Sequence, residues 1–195
     1  MKKSWCLLAV AVALSLFASC SKPAAPTYVE ELIKLPETKE ELVQRASHIV
    51  SVEVKKTEIK SFFTSYTDDT KEDFYCIDAE VTAVLKGDLE TGKKIAIIQQ
   101  GDGTNRIFKS VEQSGGYLQD GSQWLLFLEE GSEIEKQQFY EKNQCEYPYM
   151  IWSIVGQFKI NENQVILSIT NEAKDLFGDV KTVADMQSIV DDIVQ

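Results

Sequence analysis

The sequence predicts a mainly β protein of the α+β class, in which two helices flank an antiparallel sheet curled into a small barrel. The first observation is a strict alternation of apolar and polar residues from Phe74 to Leu85, which is typical of a strand with one dry face and one wet face. The second is a series of short apolar runs separated by turn residues. The third is a helix-capping signal at each end of this series. Many strands and two outer helices favour a closed antiparallel sheet.

The two predicted helices begin at capping residues. Thr38 is followed three positions later by Glu41, which forms a capping box, and apolar residues then share one side. Thr182 and Asp185 repeat the signal, and apolar residues recur at helical spacing as far as Ile193. We therefore predict one helix before the first strand and one at the end of the chain.

The predicted strands are short and differ in how apolar they are. The run from Trp124 to Leu128 is apolar throughout and should be buried on both faces. Gly156 predicts a bend or bulge within its strand. The stretches 56–73 and 101–116 are predicted to be long connections, and 133–146 a polar, partly helical excursion. In chain order, the predicted strands cover residues 50–54, 74–85, 95–100, 124–128, 149–160 and 165–169.

Charge and histidine content exclude several classes of function. The 195 residues carry a formal net charge of −11, and removal of the first nineteen residues with Lys2 and Lys3 leaves −13. Such a surface repels phosphate backbones and anionic lipid headgroups, so a nucleic-acid partner is not expected. His48 is the single histidine, which excludes most histidine-based metal sites.

The N-terminal residues predict export from the cytoplasm. Lys2 and Lys3 form a positive head, and Cys6 to Ala18 is an apolar stretch of thirteen residues interrupted only by Ser15. This stretch is too short to cross a bilayer, which needs roughly twenty helical residues. A positive head followed by a short apolar body is typical of a secretory signal.

The end of this signal resembles a known processing site. The residues Leu16-Phe17-Ala18-Ser19-Cys20 resemble the lipobox of bacterial lipoproteins. The resemblance implies that Cys20 becomes the first mature residue and carries a covalent diacylglyceryl group and an N-acyl chain such as palmitate. A plain secretory signal cut near Ala18 is the alternative. We predict a signal peptide at 1–19, a lipidated cysteine and tether at 20–35, and a single β-barrel domain with N- and C-terminal helices at 36–195.

The order of motifs in the globular part resembles a known barrel. A helix is followed by the strand V-S-V-E-V, a long strand ending in A-V-L-K-G, the short strand I-A-I-I and the run W-L-L-F-L. This layout is similar to OB-like barrels of uncharacterised secreted bacterial proteins, and more distantly to netrin/TIMP-like domains. The resemblance covers about residues 46–160 and implies a small antiparallel OB-like β-barrel, without a functional residue.

Two cysteines of the globular part are candidates for a disulfide. Cys76 lies on the polar face of its strand, which disfavours a buried thiol, and Cys145 lies in a polar segment. Export permits a bridge between them. Two unbridged thiols are the main alternative, and a cysteine nucleophile assisted by His48 is a third.

Three aromatic residues in the first long connection are candidates for partner contact. Phe62, Phe63 and Tyr66 stand among polar residues. They predict either an aromatic loop that contacts a protein or glycan, or a strand continuation whose rings pack against the barrel end.

The remaining motifs identify no catalytic or metal site. Asp68, Asp73 and Asp102 are acidic, but their spacing does not match the twelve-residue EF-hand loop. We therefore predict a non-catalytic binding module, held by its lipid on the extracytoplasmic side of a bacterial cell envelope, with no cofactor other than the lipid on Cys20. The expected partner is an envelope protein or glycan. An extracytoplasmic hydrolase that uses these loop carboxylates, and a passive coating subunit, are the alternatives.

Overall fold

The computed structural model describes residues 36–63, 71–100, 118–146, 149–151, 154–162, 166–168, 171–178 and 180–195. The predicted signal peptide, Cys20 and tether lie outside this part of the chain. Within it the protein is of the α+β class and consists mostly of strands, as predicted.

Seven strands and four helices make up the described residues, together with one 3-10 turn at Ile154–Gly156. Both predicted capping residues are confirmed, since Thr38 and Thr182 each accept a hydrogen bond from the first helical turn. The helices are α1 (Lys39–Arg45), α2 (Glu133–Asn143), α3 (Asn171–Phe177) and α4 (Val183–Val194). The strands are β1 (His48–Phe63), β2 (Lys71–Lys86), β3 (Lys94–Gln100), β4 (Gln123–Glu130), β5 (Tyr149–Met150), β6 (Gln157–Ile160) and β7 (Ile166–Ser168).

The strands form one sheet whose pairings return to their starting point. The order is β1-β2-β3-β5-β4-β6-β7, and β1 also pairs with β4. Hydrogen-bonded neighbours therefore lead from β1 through β2, β3, β5 and β4 back to β1. The β3–β5 pair is parallel, and every other pair is antiparallel. Strands β6 and β7 extend the sheet from β4.

The sheet separates two large apolar clusters. All five strands of the ring contribute to the first cluster, which includes Val52, Ile77 and Leu126. The second cluster lies on the other face of β4 and β6, where α1, α3 and α4 pack against residues such as Phe127 and Phe158. Successive residues of β4 therefore enter different clusters, which confirms the predicted burial of this strand on both faces.

Helix α1 is held against the sheet by a lysine from the end of β2. Lys86 Nζ donates to the carbonyl oxygens of Val43, Gln44 and Ala46 at 2.7, 3.2 and 2.6 Å. These carbonyls lie at the C-terminal end of the helix, where cations are favoured because carbonyl groups lack intrahelical partners. Burial lowers the pKa of Lys86 below its usual value. This lysine fixes the start of β1 relative to the end of β2.

Several predicted boundaries are wrong. The predicted connection 56–73 is mostly strand, because β1 and β2 continue as a sixteen-residue hairpin pair. The predicted strand 149–160 is divided into β5, a 3-10 turn and β6. Helix α2 confirms the partly helical character predicted for 133–146, whereas α3 was not predicted. None of the described helices is long and apolar enough to cross a membrane.

Candidate functional site

A network of polar contacts is centred on His48, at the start of β1. His48 is 4% exposed, and its Nε2 lies 3.0 Å from Asp88 Oδ1 in the turn after β2. Its Nδ1 lies 3.0 Å from Ser47 Oγ. Ser47 Oγ is also 3.1 Å from the carbonyl oxygen of Leu128 and 2.7 Å from the backbone nitrogen of Glu130. The network therefore joins the first strand to the ends of β2 and β4.

Most of this network has a fixed direction. The carbonyl oxygen of Leu128 only accepts, so the Ser47 hydroxyl donates to it, while the N–H of Glu130 donates to the hydroxyl oxygen. An ionised carboxylate also only accepts, so His48 donates from Nε2 to Asp88. The direction of the contact between His48 Nδ1 and Ser47 Oγ depends on the tautomer of the ring.

The electrostatics around the ring follow from these contacts. The hydrogen bond from His48 lowers the pKa of Asp88, although this carboxylate is itself exposed. On the ring's other side, Tyr149 packs edge-on at 5.3 Å between centroids. Burial, followed by the negative charges of Glu130 and Asp88, raises the pKa of Tyr149. The site therefore favours the ionised form of Asp88 and disfavours a tyrosinate beside the ring.

Serine, histidine and aspartate meet here, but with the roles of a structural network. In a hydrolytic triad the serine hydroxyl gives its proton to the histidine. Ser47 instead donates to the main-chain carbonyl of Leu128 and accepts from the N–H of Glu130, so its hydroxyl is engaged with the backbone of β4. The geometry favours a structural hydrogen-bond network that fixes the start of β1.

The predicted aromatic contact residues lie in different environments. Phe62 is 4% exposed and packs against Phe74 and Phe139 with centroid distances of 5.9 and 5.1 Å. The burial of this ring agrees with the alternative interpretation, in which the strand continues and its rings are packed. Phe63 is half-buried beneath two lysine ammonium groups, those of Lys71 and Lys142. The third predicted residue, Tyr66, lies outside the described residues.

The two candidate disulfide cysteines contact the same small apolar cluster. Cys76 is buried in it beside Phe62, Phe74 and Ile98, and Cys145 packs against it from the end of α2. Both are thiols in the structure. The expectation that Cys76 faces solvent is wrong, because α2 covers this part of the sheet. Burial raises the pKa of Cys145, which makes its thiolate harder to form.

The described residues do not bring together the acidic side chains that were considered for catalysis. Asp73 is half-buried and accepts a hydrogen bond from Ser61, while Asp68, Asp69 and Asp102 lie outside the described residues. Within the part that the structure describes, no three metal-binding side chains form a group. A surface groove of about 700 Å³ lies at the far end of β4 from His48, lined by Gly121, Ser122, Gln123, Lys159, Ile160, Asn161 and Glu162.

Two buried glutamines form a polar contact that sequence patterns did not predict. Gln99 Nε2 donates to Gln157 Oε1 at 3.2 Å, and the residues are 3% and 0% exposed. Gln99 Oε1 and Gln157 Nε2 have no hydrogen-bond partner within the described part of the chain. This bond links β3 to β6, which are separated in the sheet by β5 and β4. Strand β5 pairs with each of its neighbours through only two residues.

Asp88 is the partner of His48 that sequence reasoning missed, although a signal for it exists. A hairpin between β1 and β2 places the start of one strand beside the end of the other, and Ile49 indeed lies opposite Lys86. The turn residue Asp88 is then the nearest acid to His48. The contacts of Ser47 come from β4, about eighty residues away in sequence, and no local pattern indicates them.

Comparison with known proteins assigns no family to the chain. No protein-family model matches it, and no curated protein matches its sequence.

Proposed function

We propose that this protein is a lipoprotein of a bacterial cell envelope, anchored through Cys20, whose folded domain is a non-catalytic binding module. The observation that carries the proposal is the sequence Leu16–Cys20 at the end of a short secretory signal. An acidic domain with net charge −13 after removal of the signal is not drawn to anionic lipids. Two acyl chains would hold it on the membrane, since each buried CH₂ contributes about 0.8 kcal/mol.

The architecture supports a small OB-like barrel as the binding scaffold. Five strands have pairings that return to β1, which is the number of strands in an OB-type barrel. In the Ser47–His48–Asp88 network the Ser47 hydroxyl donates to the carbonyl oxygen of Leu128, which favours a structural role over that of a nucleophile. Both features favour binding over catalysis, with an envelope protein or glycan as the partner.

The anchor is tested by metabolic labelling with an alkyne fatty acid. The native protein should take up the label and enter the detergent phase, and Cys20→Ser should remain unlabelled. Cys6→Ser is the matched control, because Cys6 leaves with the signal peptide and its loss should not change labelling. An unlabelled native protein, or equal labelling of Cys20→Ser, would contradict the proposal.

A further inference from the structure

Strand β1 has one edge that is only partly paired. Its first edge pairs with β2 over the whole strand, whereas its second edge pairs with β4 only from His48 to Glu53. Val54 still exchanges two backbone hydrogen bonds with Gly121 and Ser122, at 2.8 and 2.9 Å. The register then shifts between Val54 and Lys56. Beyond this bulge, no described strand lies along the second edge.

Side chains take the place of a neighbouring strand at two points of this edge. The N–H of Thr57 donates to Asp120 Oδ1 at 2.7 Å. Further along, the N–H of Phe63 donates to Asn143 Oδ1 at 2.8 Å, and Asn143 Nδ2 donates back to the carbonyl oxygen of Phe63 at 3.2 Å. Asp120 and Asn143 thus accept backbone hydrogen bonds at the two ends of an edge segment that is roughly 20 Å long.

No described backbone pairs with the edge between these two caps. Residues in a strand point their N–H and C=O groups alternately to the two edges, so Ile59 and Ser61 face the same edge as Thr57 and Phe63. Within the described residues, neither Ile59 nor Ser61 has a backbone hydrogen bond on that side. Their two donors and two acceptors match the number that two hydrogen-bonded residues of an added strand require.

We propose that the edge of β1 between Thr57 and Phe63 binds an extended peptide of a partner protein as an added strand. This inference rests on the proposed function, because it names where and how the binding module takes its partner. Main-chain hydrogen bonds to Ile59 and Ser61 supply the affinity, and the side chains beside them supply the specificity.

The side chains along the edge define the chemistry of the peptide. Ile59 is 47% exposed on the face that it shares with Ser61, so an apolar residue of the partner packs there. Lys60 lies on the other face, paired with Glu58 at 2.5 Å. A carboxylate directly opposite Lys60 adds a favourable cross-strand pair.

The same geometry disfavours a second copy of the chain as the occupant. Pairing two copies through both Ile59 and Ser61 requires Ile59 of one copy to face Ser61 of the other. The lysines at position 60 would then lie directly opposite each other, and like charges in that position are destabilising. A partner strand with an acidic residue at this position avoids the repulsion.

The test uses the full mature chain in detergent and fluorescently labelled acetyl-Thr-Val-Glu-Val-Thr-amide, whose glutamate faces Lys60 in this pairing. Ser61→Pro removes the backbone N–H that points to the second edge of β1 and leaves the backbone hydrogen bonds to β2 in place. Proline is tolerated at strand edges. Ser61→Ala is the matched control, since it removes only the hydroxyl that contacts Asp73. We expect binding to the native protein and to Ser61→Ala, and about tenfold weaker binding to Ser61→Pro.

Two further measurements complete the test. Lys60→Glu should reverse the preference between this peptide and the version with lysine in place of glutamate. Hydrogen exchange should show new protection at Ile59 and Ser61 when the peptide binds. Absence of binding at millimolar peptide, equal binding to Ser61→Pro and Ser61→Ala, or binding without protection at these residues would each overturn the inference. Self-association that Ser61→Pro abolishes would assign the edge to a second copy and overturn it as well.

The failure of this inference and of the proposed function can be told apart. Peptide binding does not depend on Cys20, so an unacylated protein that binds the peptide retains the edge site and loses the anchor. Crosslinking of the acylated native protein to an envelope partner, unchanged in Ser61→Pro, would keep the binding function and reject this edge.

Discussion

Gly87 is the residue at which backbone geometry and side-chain packing impose the strictest requirement. Its φ is +99°, a conformation that residues with a side chain rarely adopt. A Cβ at this position would lie 2.2 Å from Cδ2 of His48. The turn after β2 can therefore bring Asp88 to the histidine only with glycine at position 87.

Gly87→Ala should destabilise the protein more than the same change at Gly92. Gly92 also has a positive φ, +86°, but nothing lies within 4 Å of its Cβ position, so its change costs only the backbone strain of about 1–2 kcal/mol. The clash with His48 should add about 1–3 kcal/mol at Gly87. Urea unfolding of both variants measures the difference.

The background variant His48→Ala checks the cause of this difference. Removal of the ring leaves the backbone strain at both glycines and removes the clash, so the two alanine substitutions should then cost similar amounts. Equal costs in the native background, or an unchanged difference in His48→Ala, would contradict the role assigned to the His48 contact.

Single residues were predictable where their partners are close in sequence. Thr38 and Thr182 were found because capping contacts reach only three residues along the chain. The burial of Gln99 and Gln157 was not predictable, because it depends on contact between residues that are 58 positions apart in the chain. Long-range pairs of polar residues leave no local pattern.

At the scale of elements, the outer half of the β1–β2 hairpin was missed for a physical reason. Residues 55–61 are partly or largely exposed, and polar side chains occur on both faces, so no alternation is visible. Helix α2 was predicted only in part, because no residue of it is fully buried and its apolar residues do not recur on one side. Its capping box at Ser132 and Glu135 is a local signal that the sequence analysis did not use.

The glutamine bond between β3 and β6 should show strong energetic coupling. Replacing either Gln99 or Gln157 with Met leaves the other amide buried without its partner, which costs about 1–3 kcal/mol. The double change to Met removes both polar groups and should be close to neutral. A double-mutant cycle of unfolding free energies measures the coupling.

Ser51→Ala provides a control for the glutamine cycle. Ser51 Oγ is buried and has no hydrogen-bond partner among the described residues, so its removal should be neutral or slightly stabilising. A double glutamine variant that is as unstable as the sum of the single variants would contradict the account. It would indicate that each amide is satisfied separately by ordered water.

Cys76 and Cys145 should form a disulfide when the protein is oxidised. They contact the same apolar cluster, and a bridge would tie the end of α2 to β2 across a loop of about 70 residues. Closure of such a loop is worth about 4–5 kcal/mol in the chain-entropy model. Protein recovered from cells without reductant should therefore resist alkylation at both residues and lose stability when reduced.

Single substitutions separate the bridge from the packing of the thiols. Cys145→Ser should make Cys76 open to alkylation in unfolded protein, and its stability should no longer depend on reductant. Alkylation of both cysteines in native protein unfolded without reductant would show that the bridge does not form in the cell.

The whole molecule combines a strongly negative net charge with a ring of strand pairings that returns to β1. The net charge was readable from the sequence because it depends on composition alone, whereas the export signal stays a prediction. The class of fold was also predictable, since alternating apolar residues indicate strands wherever one face is buried. The strand order was not predictable, because the parallel β3–β5 pair depends on a strand of two residues.

The intact mass of the mature protein, extracted from cells with detergent, tests the central claim most directly. The account predicts a chain that begins at Cys20 and carries a diacylglyceryl group together with an N-acyl chain. The Cys20→Ser variant should show neither addition. An unmodified chain recovered in aqueous buffer, beginning at Ser19 or at any residue after Cys20, would contradict the account.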